Sequence, residues 1–312
     1  MKQEKQAAYG RGYMLHAEVR QAPAALVRAT QLGVRSYCCP DMATLPNKDA
    51  VIVLCFGTTH TVAAHAGITP VVRDIQAAYP HMRVEIAFTS HIVVSRLART
   101  QGRNVLLPAE ALQKLRQEGY TRVLMISLDI IPGVEYAYKL ALWEEYKTSF
   151  KQLVLSTPLL YWMGQEAQRD DIADFIRAME PALPPAENHG AVLWLAHGTP
   201  HPANAYYSVI QLRLQEILRR QVYLYSVEGW PNLASVLPVL RAQHIQTVTL
   251  MPLMLVAGEH ARNDMATADR RQLERAGFHV RTYLHGLGEN EAVRRLFLAR
   301  VREARDYLHD DA

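Results

Sequence analysis

Cysteine is scarce in this chain. Of 312 residues only Cys38, Cys39 and Cys55 are cysteines; two are adjacent and none sits in a C-x-x-C pair. A disulfide framework or a sulfur-ligated zinc site is therefore excluded as the basis of the fold. Cys55, inside an apolar run, reads as a small buried hydrophobe. Long apolar stretches are also missing, since none approaches the ~18 residues a membrane-spanning helix needs. The opening Met1-Lys-Gln-Glu-Lys-Gln carries no apolar core of a secretory leader. The expectation is a reduced, cytoplasmic setting with no membrane partner. Charge of one sign is lacking too: 34 Lys and Arg face 30 Asp and Glu, a formal +4 with no basic block. Nucleic acid is accordingly not an expected partner. Finally, the G-x-G-x-x-G fingerprint of dinucleotide binding is absent, because the turns Phe56-Gly-Thr-Thr-His and His197-Gly-Thr-Pro-His each hold a single glycine.

What is present is the composition of a soluble globular protein, 49% apolar and 21% charged, in a chain long enough for two cores. Residues 1–48 have little periodicity beyond a weak helical stretch at Ala17–Leu32 and read as an extension. From Asp49 onward, apolar β-branched runs alternate with amphipathic segments. Strands are expected near 51–56, 84–88, 123–128 and 152–156, then near 191–196, 222–227, 246–251 and 278–283. Helices are expected near 68–78, 108–118, 135–148 and 164–178, then near 203–219, 232–243, 259–276 and 290–308. The proline-rich stretch Pro181–Gly190 is the strongest breaker. Three segments follow: an extension at 1–48, an α/β domain at 49–180, and a second at 190–312 that carries the chemistry. Strands apolar throughout and separated by helices predict two Rossmann-like, doubly wound domains. Each has a parallel four-stranded sheet, the pair related by internal duplication with a cleft between them.

The duplication is visible as a repeated pattern. A strand ends in Phe56-Gly-Thr58 or His197-Gly-Thr199, a second strand follows, and a third ends in Gly plus a potential ligand. Aligned this way, His197 falls on Phe56, Glu228 on Thr89 and His260 on Glu135. Only the second copy places His, Glu and His at its three strand ends. Ligands of doubly wound sheets bind beyond those ends, so the fold gathers the three residues at one rim. Singly, each has a bland reading: a turn histidine, a solvated carboxylate, an exposed first-turn residue. Together, two imidazoles and a carboxylate suit a first-row divalent ion that is held and then released. The positive end of a helix at His260 favours the uncharged imidazole, the form with a lone pair to give.

At these residues the chain resembles the class II tetrapyrrole chelatases, and among them the anaerobic sirohydrochlorin cobaltochelatases of cobalamin biosynthesis. The carrying segments are His197–His201, Val227-Glu-Gly-Trp-Pro231, Met251–Met265 and Gly286-Leu-Gly-Glu-Asn290. Phe56-Gly-Thr58, Phe88-Thr-Ser90 and Ile131–Tyr136 match more loosely. The resemblance implies a His197, Glu228 and His260 metal site facing a tetrapyrrole in the interdomain cleft, with His197, Glu228 and Glu135 as catalytic groups. It further implies substrate contacts at Phe56, Thr58, Ser90, Asp129 and Arg262. Asp129 departs from the family pattern, which has histidine in that segment. No cofactor is expected beyond the substrate metal, Co2+ first, with Fe2+, Ni2+ and Zn2+ also fitting a His2Glu set. The expected partners are a tetrapyrrole and a divalent metal, and a homo-oligomer is allowed. A ferrochelatase-type activity and a non-catalytic tetrapyrrole carrier stand as alternatives, with a nucleotide enzyme behind them.

Overall fold

The computed structural model describes residues 15, 16, 18–165 and 168–308. The start of the expected extension lies outside the described residues. Strand β2 (Asp49–Cys55) is buried from Ala50 to Cys55. A strand apolar on both faces must sit inside a sheet covered on both sides. It does so in a sheet with β1 (Arg35–Cys38), β3 (Arg83–Phe88), β4 (Arg122–Ser127) and β5 (Gln152–Leu155), in the order β1-β5-β4-β2-β3. The second sheet holds β6 (Gly190–Gly198), β7 (Val222–Glu228), β8 (Thr247–Pro252) and β9 (His279–Thr282), in the order β7-β6-β8-β9. All pairings are parallel except β1 with β5.

The chain thus folds as two doubly wound α/β sheets, with one addition to the expected four and four. Residues 35–38, assigned by sequence to the extension, pair antiparallel with β5. Their sequence, Arg35-Ser-Tyr-Cys38, has no apolar alternation because backbone pairing at a sheet edge, not burial, holds them. In each sheet the first strand of the unit is central: β2 lies between β3 and β4, and β6 between β7 and β8. The chain reverses direction of winding beside β2 and β6, which makes their carboxyl ends the ligand-binding switch points.

Packing crosses the sequence boundary at 181–190. Helix Asp171–Met179 lies against helix Ala205–Ile217, and Phe175 meets Trp194 of β6 edge-on with ring centroids 5.8 Å apart. In return the last helix, Glu291–Arg305, packs on β4 and on helix Thr69–Ala78 of the first half. The apolar faces of the two exchanged helices, Ile172, Phe175 and Ile176 on one and Val293, Phe297 and Val301 on the other, join one core running between the sheets. Buried Asp171 ties them, accepting from Arg169 Nε at 2.6 Å and from Arg300 Nη2 at 2.7 Å. The two halves are therefore joined by a shared core and a buried ion pair. Among the described residues no helix is long and apolar enough to cross a membrane.

Candidate active site

The two repeated turns agree in atomic detail. Gly57 and Gly198 both take left-handed backbone angles, φ +89° and +85°. A Cβ on Gly57 would lie 2.3 Å from the Phe88 ring, and one on Gly198 would lie 2.1 Å from the Glu228 carbonyl oxygen. Glycine is needed at both for the angle and for the approach of the neighbouring strand. After each turn a histidine caps the next helix: Nδ1 of His60 accepts from Ala63 N, and Nδ1 of His201 from Ala203 N. The halves face one another through the same parts. Thr58 lies against Gly258, and Thr199 against Gly133.

Strand register tests the alignment of the copies. Leu54 pairs with Ser127 and Leu195 with Pro252; eight residues further on stand Glu135 and His260, matched as the sequence suggests. The second strand is shifted. Cys55 pairs with Phe88, while Ala196 pairs with Ser226 and Gly198 with Glu228. Ser90, not Thr89, is thus the counterpart of Glu228. Its hydroxyl is occupied, accepting from Val93 N at 3.3 Å to cap helix His91–Gln101.

Between the strand ends of the two halves lies a cleft of about 460 Å³. Its walls are mostly apolar, with Ile68, Val93, Ile131 and Leu253 to Val256 among them. Of the expected site residues, Phe56, Thr58, Asp129, Glu135, His197, Glu228 and His260 line it. Ser90 and Arg262 are not among the lining residues; Arg262 Nε instead donates to Ala257 O at 3.3 Å.

His197 and His260 meet edge to face, ring centroids 4.8 Å apart. Nδ1 of His197 lies 3.0 Å from Gly198 O, and Nδ1 of His260 lies 2.6 Å from Asp264 Oδ2. A backbone carbonyl accepts only, as does a carboxylate, so Nδ1 is assigned as the donor in both contacts. An uncharged imidazole with Nδ1 so engaged carries its lone pair on Nε2. Asp264 stands four residues after His260 on the same helical face, within residues 260–269, which form a π-helical segment. Glu228 lies on the exposed end of β7 at the rim of the same cleft. Among the described residues, no three His, Cys, Asp or Glu side chains are grouped closely enough to hold a metal ion together. Two imidazoles converge; the carboxylate shares their cleft without completing a triad.

On the opposite wall, Glu135 opens helix Val134–Tyr146, and its Oε2 accepts from Thr89 Oγ1 at 2.6 Å. Glu135 is among the residues lining the cleft. Asp129 is committed elsewhere. Its Oδ2 accepts from Ser127 Oγ at 2.8 Å and forms an ion pair with Lys139, whose side chain is fully buried. It is a counter-ion inside the wall more than a free acid. Behind it, burial pushes the Cys55 thiol up to about 12, with the Lys139 charge opposing, so Cys55 stays protonated.

Sequence reasoning missed Arg96 and Asp264. Arg96 is the sole lysine or arginine among the residues lining the cleft, and its Nη1 stands 3.9 Å from Glu259 Oε2 of the other half. It sits on helix His91–Gln101, which was not expected because His91-Ile-Val-Val reads as β-branched. The signal was the Ser90 cap and the following Leu97 one turn below Val93. Asp264 was detectable as an acid four residues beyond His260.

Residues 49–306 match the family described as Cobalt chelatase (CbiK). The sirohydrochlorin cobaltochelatase of Salmonella typhimurium is 32% identical over 269 residues, covering 85% of this chain and 99% of that relative. Sirohydrochlorin cobaltochelatase CbiKC of Nitratidesulfovibrio vulgaris is 32% identical over 244 residues, covering 76% of this chain and 83% of that protein. The fold also matches SirB from Bacillus subtilis with Fe3+ at TM-score 0.56 and 16% identity, over 82% of this chain and 95% of that one. The match in sequence spans both α/β halves and every strand end that borders the cleft. The chain belongs to the CbiK family of cobalt chelatases.

Proposed function

We propose that this protein is a sirohydrochlorin cobaltochelatase, which exchanges two pyrrole N–H protons of sirohydrochlorin for one Co2+ in anaerobic cobalamin biosynthesis. The observation that carries the reading is the convergence of His197 and His260, both with Nε2 free, in an apolar cleft between the halves. The names of the two relatives support the substrate and the metal. A flat macrocycle suits the apolar walls, and its peripheral carboxylates suit Arg96 at the edge.

The metal enters as substrate. The Nε2 atoms of His197 and His260 replace part of its water shell, and Glu228 turns inward from the rim to complete the set. Ring nitrogens then displace these donors as the ion passes to the macrocycle. The two displaced protons need bases within reach. Glu135, held by Thr89 on the facing wall, is the first; Glu228, released once the ion has moved, is the second. Arg96 stands 3.9 Å from Glu259, beyond hydrogen-bond distance, and so can turn to a substrate carboxylate. Fe2+, Ni2+ and Zn2+ satisfy the same donors, so the choice of Co2+ rests on the relatives. A cytoplasmic setting is part of this proposal.

The test is anaerobic absorbance with sirohydrochlorin and each metal in turn. Time-dependent conversion of the free-base spectrum with Co2+ is expected, with His197→Ala and His260→Ala both severely slowed. Stoichiometric tetrapyrrole binding with no metal-dependent change would make the protein a carrier and end the chelatase reading.

A further inference from the structure

We infer that Asn204 is a positioning residue that sets the spacing between the His197 turn and the Glu228 loop. This rests on the reading of His197, Glu228 and His260 as the metal-receiving set. Asn204 lies outside that set, at the start of helix Ala205–Ile217. Its side chain touches both strand ends at once. Oδ1 accepts from Thr199 N at 3.3 Å, two residues after His197. Nδ2 donates to Trp230 O at 2.7 Å, two residues after Glu228. Between the two contacts the amide presses on Gly229, where a Cβ would come within 2.5 Å of Oδ1. Only glycine lets the loop close this far onto the amide.

The brace is itself anchored. Asn204 N donates to His201 O at 2.8 Å, and His201 N donates to Thr199 Oγ1 at 3.2 Å, so the turn folds back on its own start. The far end of the loop is fixed by Ser226, whose N and Oγ both donate to Pro231 O at 2.8 Å. Glu228 is itself paired with Gly198 in the β6–β7 ladder, so Gly229 and Trp230 are the short arc that Asn204 braces between that pairing and Pro231. A primary amide is the group that fits, since it offers one acceptor and one donor in a single plane. Aspartate keeps the acceptor for Thr199 but sets an oxygen against the Trp230 carbonyl. Alanine removes both contacts. Asn204 is not among the residues lining the cleft; it acts through the loop that follows Glu228.

The experiment is calorimetric titration of the full chain with Co2+ alone, together with steady-state kinetics and circular dichroism. Outer-shell partners of metal ligands typically change affinity about 10–100-fold. Asn204→Ala is expected to weaken Co2+ binding within that range and to raise the metal KM, with the tetrapyrrole KM unchanged. Asn204→Asp should fall between it and wild type. In a Glu228→Gln background, Asn204→Ala should add nothing further, because the residue it places no longer ligates. Wild-type Co2+ affinity in Asn204→Ala, while His197→Ala has lost it, overturns the inference and spares the metal reading. Retained binding in His197→Ala overturns the metal reading itself. If Asn204→Ala does not fold, Asn204→Asp decides: an unchanged metal KM there also overturns the inference.

Discussion

The sharpest quantitative consequence of the structure concerns Asp129 and Lys139. The Lys139 ammonium is fully buried, the Asp129 side chain is 10% exposed, and the two are paired. Replacing Asp129 by Asn keeps the volume and leaves a hydrogen-bond acceptor for Ser127, but it strands a positive charge in the wall of the first sheet. Breaking a buried pair on one side costs about 3–5 kcal/mol. At about 2 °C per kcal/mol in a chain of this size, Asp129→Asn should lower Tm by roughly 6–10 °C. Asp129→His, the change toward the family pattern, should cost as much, since an imidazole does not neutralise an ammonium. Removing both charges, Asp129→Asn with Lys139→Met, should recover most of the loss, because a buried pair is close to neutral against an apolar replacement. Guanidinium unfolding of wild type, Asp129→Asn, Lys139→Met and the double variant gives the double-mutant cycle. A Tm for Asp129→Asn within 2 °C of wild type, on the scale of about 2 °C per kcal/mol, would refute the buried-ion argument. So would a double variant less stable than the sum of the singles.

Three further outcomes follow from the same geometry. Asp264→Asn should weaken Co2+ binding about 10–100-fold, since the amide no longer fixes the His260 tautomer by accepting alone; titration with Co2+ reads it directly. Arg96→Ala should raise the tetrapyrrole KM while leaving Co2+ affinity unchanged, and a rise in the metal Kd instead would assign Arg96 to the metal path. In native protein Cys38, which is exposed, should react with a thiol reagent while Cys39 and Cys55 do not; Cys55 is buried and its thiol is pushed up to about 12. Rapid labelling of Cys55, read by peptide mass spectrometry, would contradict that burial.

How much of this was legible beforehand depended on how local the cause was. The strand ends were legible because a run such as Val51-Ile-Val-Leu has no polar face and stops at a glycine turn. His197, Glu228 and His260 followed from the topology of those ends. Helix His91–Gln101 was not legible, because Ile92, Val93 and Val94 read as strand and the Ser90 cap is one side chain. With that helix went Arg96. Strand β1 was missed since it is bound by backbone pairing. The exchange of helices Asp171–Met179 and Glu291–Arg305 was invisible for another reason. Their amphipathic faces say that they are covered, not by which sheet. The pairing of Asp129 with Lys139 ran against the usual exposure of lysine, which sequence reasoning assumes. The one-residue slip that matches Glu228 to Ser90 is a matter of register, and register is written in hydrogen bonds, not in composition.

The same comparison explains why a duplicated scaffold carries a one-sided site. In the first copy the positions equivalent to His197 and Glu228 hold Phe56, which lines the cleft, and Ser90, which caps a helix. Asp129 on that wall is consumed by Lys139. Of the three matched positions of that copy, the one carboxylate is Glu135, and Thr89 holds it in place. The second copy keeps both imidazoles with Nε2 unoccupied and a carboxylate at the rim. A planar macrocycle between such walls meets different chemistry on its two faces: lone-pair donors for an incoming cation on one, an apolar surface with a single base on the other. Chelation asks for that difference. Ligands on both walls would hold the ion from both sides and oppose its transfer to the ring, whereas a lone carboxylate binds a divalent ion weakly and is free to take a proton. In the proposed reaction the absence of such ligands from the first copy is therefore what allows release, and Phe56→His should strengthen metal retention at the expense of turnover.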